Sequence, residues 1–153
     1  MELESLYQEV IMDHYKNPLN KKLLTDYVVQ VHHVNPSCGD EQDLNISTDG
    51  ERISAIGWDG VGCSISQAST SIMSDLLVGK RIDEATKIQD SFQAMILSKG
   101  KITGDEALLE DAVVLAGVSK FPARVKCALL GWMAFKDALS RSEEHTSELQ
   151  SHS

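Results

Sequence analysis

The hydrophobic period of this chain switches at Gly60-Val61-Gly62, and that switch restricts its fold more than any other feature. From about residue 27 to the switch, apolar residues alternate with polar ones; after it, they recur every three or four residues. Residues 27–34, 42–48 and 52–59 therefore read as strands. Thr48-Asp49-Gly50-Glu51 joins the last two, and Asp-Gly between alternating runs is a strong hairpin signal. Asn35-Pro36-Ser37-Cys38-Gly39-Asp40 is a turn by composition, so three consecutive strands predict an antiparallel meander. A helix at 2–16 precedes them, with Leu3, Leu6, Tyr7, Val10, Ile11 and His14 on one stripe and Asn17-Pro18 as its stop. After the switch, Ile65, Ala68, Ile72, Met73 and Leu76 mark a helix that ends at Gly79. Further helices are expected over 83–97, over 105–116 after a loop at 98–104, and from Pro122 onward. The last carries the stripe Val125, Ala128, Leu129, Trp132, Phe135 and Leu139. The expected fold is α+β: one domain over residues 1–141, with a small three-stranded antiparallel sheet and about five helices packed against it. Residues 142–153 hold one apolar residue, Leu149, and predict a disordered tail. That stretch resembles a translated sequencing adapter more than a native domain end.

The formal charge is −9 and no basic patch dominates the sequence, which argues against nucleic acid as the main partner. A basic surface on a partner protein is the better match. No apolar run is long enough to span a bilayer, and the first residues are acidic and amphipathic rather than those of a signal peptide. Three cysteines cannot all pair within one chain, so reduced thiols in a cytoplasmic setting are expected.

Those cysteines carry the chemistry. Cys38 lies in a loop beside Gly39, Cys63 stands just before a helix, and Cys127 lies in the final helix near Arg124 and Lys126. Separations of 25 and 64 residues are too long for a local zinc finger, so the fold must assemble any joint site. Asp40 supplies a fourth donor, and three thiolates with one carboxylate could complete a four-coordinate metal shell. A helix N-terminus favours thiolate at Cys63, and neighbouring cations favour it at Cys127. Against this stands ordinary burial, since a lone cysteine is often a small core hydrophobe; that alternative is strongest for Cys127 and weakest for Cys38. His32 and His33 are strand neighbours that face opposite ways, so satisfied surface or core histidines are expected there. His14, Trp58 and Trp132 read as core. Ser69-Thr70-Ser71 reads as a polar helix face, and the acidic pairs at 83–84, 105–106 and 110–111 read as helix-start or solvated charges.

Four ordered motifs support a resemblance: Tyr7-x-Glu9-Val10-Ile11-x-Asp13-His14-Tyr15-Lys16-Asn17-Pro18, Asn35 to Asp40, Gly62-Cys63-Ser64-Ile65-Ser66-Gln67-Ala68-Ser69, and Arg124-Val125-Lys126-Cys127-Ala128-Leu129-Leu130-Gly131-Trp132. Over about residues 2–140 the chain resembles the SufU-type proteins of the SUF iron–sulfur assembly system, within the IscU-like superfamily. The resemblance implies an IscU/SufE-like fold and a zinc-dependent sulfurtransferase with Cys38, Asp40, Cys63 and Cys127 as zinc ligands. It implies a pyridoxal-phosphate cysteine desulfurase of SufS type as the persulfide donor and a downstream SUF scaffold as a further partner. In that family the desulfurase's histidine replaces the first cysteine on the metal, which frees Cys38 to attack the persulfide. Arg124 and, more weakly, Lys126 are implied to hold the partner or the metal loop. The alternative is a scaffold that builds an iron–sulfur cluster on the same ligands. IscU-type scaffolds carry histidine where Lys126 stands and a Leu-Pro-Pro-Val-Lys stretch where Phe121 to Lys126 stands. Residues 98–120 look like the segment that SufU-type chains insert between the second and third cysteines.

Overall fold

The computed structural model describes the backbone of residues 2–151 and the side chains of residues 7–143. Helix α1 (Glu2–Lys16) is followed by strands β1 (Val29–Asn35), β2 (Asp40–Thr48) and β3 (Ile53–Val61), which form one antiparallel sheet in the order β1-β2-β3. Helices α2 (Ser64–Leu77) and α3 (Ile82–Leu97) follow the period switch, then α4 (Glu106–Leu109), a 3-10 segment (Glu110–Lys120) and α5 (Pro122–Ser151). The meander, the helices after it and the sheet-plus-helices architecture agree with the α+β expectation. Among the described residues, no helix is long and apolar enough to cross a membrane.

Register decides what the sheet presents. Asp40, Gln42, Leu44 and Ile46 share one face with Asn35 and Val31 of β1 and with Trp58 and Ile56 of β3. That face packs on α5 and α2. Its middle is apolar, and Leu44, Ile46 and Trp58 are fully buried. Its end is polar, because Asn35 and Asp40 are paired there. The turn between them is set by its composition: the Cys38 N–H donates to the Asn35 carbonyl at 3.2 Å, with Pro36 at the second turn position. Gly39 takes φ +69°, a left-handed value that other residues adopt only at a cost.

Helix α2 is buried nearly all round, and its polar face departs from expectation. Ser69, Thr70 and Ser71 are buried rather than solvated. The Ser69 hydroxyl donates to the Ala128 carbonyl at 2.6 Å and accepts from the Trp132 indole N–H at 3.0 Å. Thr70 donates to the Gln42 side-chain oxygen at 2.8 Å, and Ser71 bonds the His14 ring at 2.8 Å. Buried hydroxyls need such partners, and these bonds tie α2 to β2, α5 and α1. Trp132 stacks on Phe92 with ring centroids 3.9 Å apart, which confirms it as a core residue. His14 is only half-buried.

The helix expected over 105–116 is also altered. It is α-helical only over Glu106–Leu109, where Asp105 caps it by accepting from the Ala107 N–H at 3.0 Å. Glu110 then takes φ +49°, and the chain continues as 3-10 turns. Val113 and Val114 are β-branched and resist a return to α-helix. The tighter winding buries Ala112 to Leu115 together with Val118, so packing overrides the preference for α-helix. At the other end of the molecule, α5 runs through Ser151, where the sequence predicts a disordered tail from residue 142. Side chains from residue 144 onward lie outside the described residues.

Candidate metal centre

Three elements end at one point. The β1–β2 turn delivers Cys38 and Asp40, the start of α2 delivers Cys63, and the second turn of α5 delivers Cys127. One ligand atom each from Cys38, Asp40 and Cys127 lie within 4.8 Å of one another. Tetrahedral metal–ligand bonds of about 2.0–2.3 Å would space donors by roughly 3.3–3.8 Å, so small side-chain adjustments suffice. Cys63 stands outside that circle, with its thiol 3.9 Å from the Ser66 hydroxyl. It remains at the site, because its N–H donates to Asp40 Oδ1 at 2.9 Å and its thiol adds to the forces that raise the pKa of Cys127.

Asp40 is 1% exposed, so its carboxylate needs partners. Oδ1 accepts from the Cys63 N–H and lies 3.1 Å from the Ser66 hydroxyl, while Oδ2 accepts from the Asn35 amide at 3.3 Å. The same Asn35 amide is 3.8 Å from Cys127 Sγ. Gly62 makes this approach possible, since a Cβ there would lie 2.4 Å from Asp40 Oδ1. Asn35 and Ser66 are site residues that motif reading did not single out. Both were visible as polar residues at fixed offsets within the motifs, but only the fold shows that they converge on one carboxylate.

The three thiols differ in environment. Cys127 is fully buried, whereas Cys38 and Cys63 are half-exposed. Cys38 Sγ lies 3.6 Å from the Ala123 carbonyl, which docks the turn against the first turn of α5. The expectation that cations hold Cys127 as a thiolate is reversed in the metal-free site. Burial pushes its thiol well up, and hydrogen bonds with Asp40, Cys38 and Cys63 push in the same direction. Arg124 does reach the site. Its guanidinium is raised first by its hydrogen bond with Cys127, then by the charge of Cys63, with Cys38 contributing less. Arg124 is exposed, and water weakens its pull below the cost of burying a thiolate. Lys126 is exposed, and none of the side-chain hydrogen bonds or ion pairs of the described residues involves its ammonium. The histidines lie away from the thiols: His32 is held above its usual value by Asp43 at 2.7 Å on the open face, and His33 bonds Asp137 of α5 at 2.9 Å.

The NifU-like N terminal domain matches residues 6–128. The chain is 45% identical over 141 residues to the zinc-dependent sulfurtransferase SufU of Bacillus subtilis, covering 92% of this chain and 94% of that protein. It is 41% identical over 140 residues to the iron–sulfur cluster assembly scaffold protein IscU of Streptococcus pyogenes, covering 92% and 86%. Its fold matches a crystal structure of a putative SUF-system scaffold from Fervidobacterium islandicum with TM-score 0.79 and 34% identity, covering 86% and 94%. A NifU-like N-terminal structure from Brucella abortus has TM-score 0.82 at 21% identity, covering 94% and 99%, a likeness of fold. With its buried carboxylate and the two cysteines that converge on it, this chain belongs to the NifU-like N-terminal domain family of iron–sulfur cluster assembly proteins.

Proposed function

We propose that the chain is a zinc-dependent sulfurtransferase that takes persulfide sulfur from a pyridoxal-phosphate cysteine desulfurase for iron–sulfur cluster assembly. The asymmetry of the donors carries this assignment: Asp40 and Cys127 are buried, while Cys38 is half-exposed on a tight turn. Such a site holds two donors buried and leaves its outer side open, and Cys38, on the turn, is the donor placed to leave.

The donor chemistry fits zinc. Three sulfurs and one carboxylate oxygen make a four-coordinate set, and Asn35 and Ser66 already orient the carboxylate from behind. Cys38, Asp40, Cys63 and Cys127 would hold the ion, which supplies charge that keeps the thiols deprotonated without redox chemistry. The remaining steps belong to the chain. Cys38 thiolate attacks the terminal sulfur of the desulfurase persulfide, the donor's S–S bond breaks, and the donor cysteine leaves as thiolate. Cys38 then carries the persulfide. Arg124, which bonds Cys127 and feels the charge of Cys63 and Cys38, offsets the negative charge that arrives. The similarity to SufU of Bacillus subtilis supports this assignment.

A second function, cluster scaffolding on the same ligands, draws support from the scaffold name of the Streptococcus pyogenes relative. Lys126, in place of a fourth soft donor beside Cys127, favours sulfur transfer. One experiment separates the two: metal analysis of aerobically and anaerobically purified protein, then cysteine turnover by a purified desulfurase. Sulfur transfer predicts one zinc per chain and stimulated turnover. It also predicts that Cys38→Ala drops stimulation to background while the far-UV spectrum stays native. Visible cluster absorption without zinc or stimulation would sink it. Equal unfolding of Cys38→Ala and Cys127→Ala would instead assign the metal a purely structural role.

A further inference from the structure

The chain is acidic overall, yet from Ala112 to Lys136 it carries four cations and no acid. The fold brings more cations to this stretch. Loop 98–104 folds back so that Gly100 lies against the stem of Lys120; a Cβ there would be 3.0 Å from Lys120 Cγ. The loop is built rather than incidental. Ser98 accepts from the Lys101 N–H at its carbonyl, 3.2 Å, and from the Ile102 N–H at its hydroxyl, 3.0 Å. Lys99 at φ +58° and Gly100 at φ +86° are both left-handed, an unfavourable conformation for a lysine. The outcome is that Lys99, Lys101 and Lys120 are exposed, and Lys80 is the only lysine with an ion-pair partner among the described residues.

Large apolar side chains lie beside these lysines. Phe121 is 62% exposed, Leu97 54% and Ile102 46%. Phe121 immediately precedes α5, and its carbonyl accepts from the Arg124 N–H at 2.8 Å. Two residues on, the Ala123 carbonyl touches the Cys38 thiol. The patch therefore borders the Cys38 turn, and any protein that delivers sulfur to Cys38 must come close to Phe121.

We propose that Lys99, Lys101 and Lys120, with Phe121 as apolar anchor, dock an acidic, apolar-pocketed surface of the sulfur donor. This docking presupposes that Cys38 accepts sulfur, as proposed above. Charge chooses the occupant. The net charge of −9 favours a basic surface over most of the contact, so the unpaired cations at the site's border are the local exception and pair only with an acidic patch there. The apolar side chain then supplies the desolvated centre of the contact.

The test uses the zinc-loaded full chain and a purified pyridoxal-phosphate cysteine desulfurase. Two readouts are taken: turnover against chain concentration, and direct binding at low and high salt. Replacing Lys99, Lys101 and Lys120 together by Glu should raise KM about tenfold or more, with kcat within about twofold, because rim charges act on encounter. Lys→Gln at the three positions should give an intermediate loss and flatten the salt dependence of binding. Phe121→Ala should weaken binding about tenfold at any salt. Zinc content and far-UV spectra should match the wild type. Wild-type stimulation with unchanged KM in the charge-reversed chain overturns the docking surface and leaves sulfur transfer standing. Wild-type binding without stimulation, lost on charge reversal, overturns sulfur transfer and keeps the surface. If the chain alone forms dimers that charge reversal dissociates, with no effect on the donor, the occupant is a second copy and the proposal fails.

Discussion

Asn35 bonds two of the proposed metal donors at once. Its amide reaches Asp40 Oδ2 at 3.3 Å and Cys127 Sγ at 3.8 Å, so it fixes a β2 carboxylate and an α5 thiol in one geometry. Groups of this kind typically tune metal affinity by about 10–100-fold. Asn35→Ala should therefore weaken zinc binding by about that factor, as read by competition with a chromophoric chelator, while the far-UV spectrum stays unchanged. An unaltered affinity would show that Asp40 is held well enough by Ser66 and the Cys63 N–H alone. At this scale the sequence was most legible for residue type. Cys38, Asp40 and Cys127 could be named from their motifs, but the rank order of their burial could not. Cys127 shows why: nearby cations predicted thiolate, and complete burial outweighs them.

Elements were legible where local signals agreed with packing. The switch of period at residues 60–62, the Asp49-Gly50 hairpin and the Gly79 stop all mark real boundaries. Residues 105–116 depart from the expected α-helix because propensity favours α-helix while burial of the valines favours 3-10 turns. The polar face of α2 was read as solvated because hydroxyls are usually exposed. Its true partners, Gln42, Ala128 and Trp132, are 28 or more residues away in sequence. This contact tests how tightly α2 and α5 are packed. A Cβ at Gly131 would lie 2.2 Å from Thr70 Oγ1, whereas one at Gly117 meets nothing within 4 Å. Gly131→Ala should cost about 1–3 kcal/mol by forcing the helices apart. Gly117→Ala should stay within about 1 kcal/mol of the parent. Thermal melts of the two variants compare them directly, and equal midpoints would contradict the close packing.

At the scale of the whole molecule, the candidate centre joins the sheet, α2 and α5, so a metal held there as proposed would be linked to folding. A ligand at a thousand times its Kd adds about 4 kcal/mol to the folded state. Chelation should lower the melting temperature accordingly, and zinc should restore it. The pH dependence has a definite sign. In the metal-free protein the Cys127 thiol is raised, so above the ordinary thiol range the unfolded chain has lost a proton that the folded chain keeps. Stability of the metal-free form should then fall as pH rises past about 8.5, by at most about 1.4 kcal/mol per pH unit. Zinc binding demands the opposite, since ligands must lose their protons. Uptake near neutral pH should release protons and weaken as pH falls, which calorimetry in buffers of different ionisation enthalpy measures directly. Metal-free stability that does not change above pH 8.5 would count against a buried Cys127 thiol.

The sequence by itself determined the order of strands and helices, the α+β class and the residue types offered to the candidate site. Periodicity, turn chemistry and motif spacing are local properties, and they survive without knowledge of the fold. Only the tertiary structure decided that Asn35 and Ser66 serve one carboxylate, that Cys127 is sealed while Cys38 stays open, and that loop 98–104 lies beside Lys120. Burial and long-range contacts depend on how distant segments pack, and no window of sequence contains both partners.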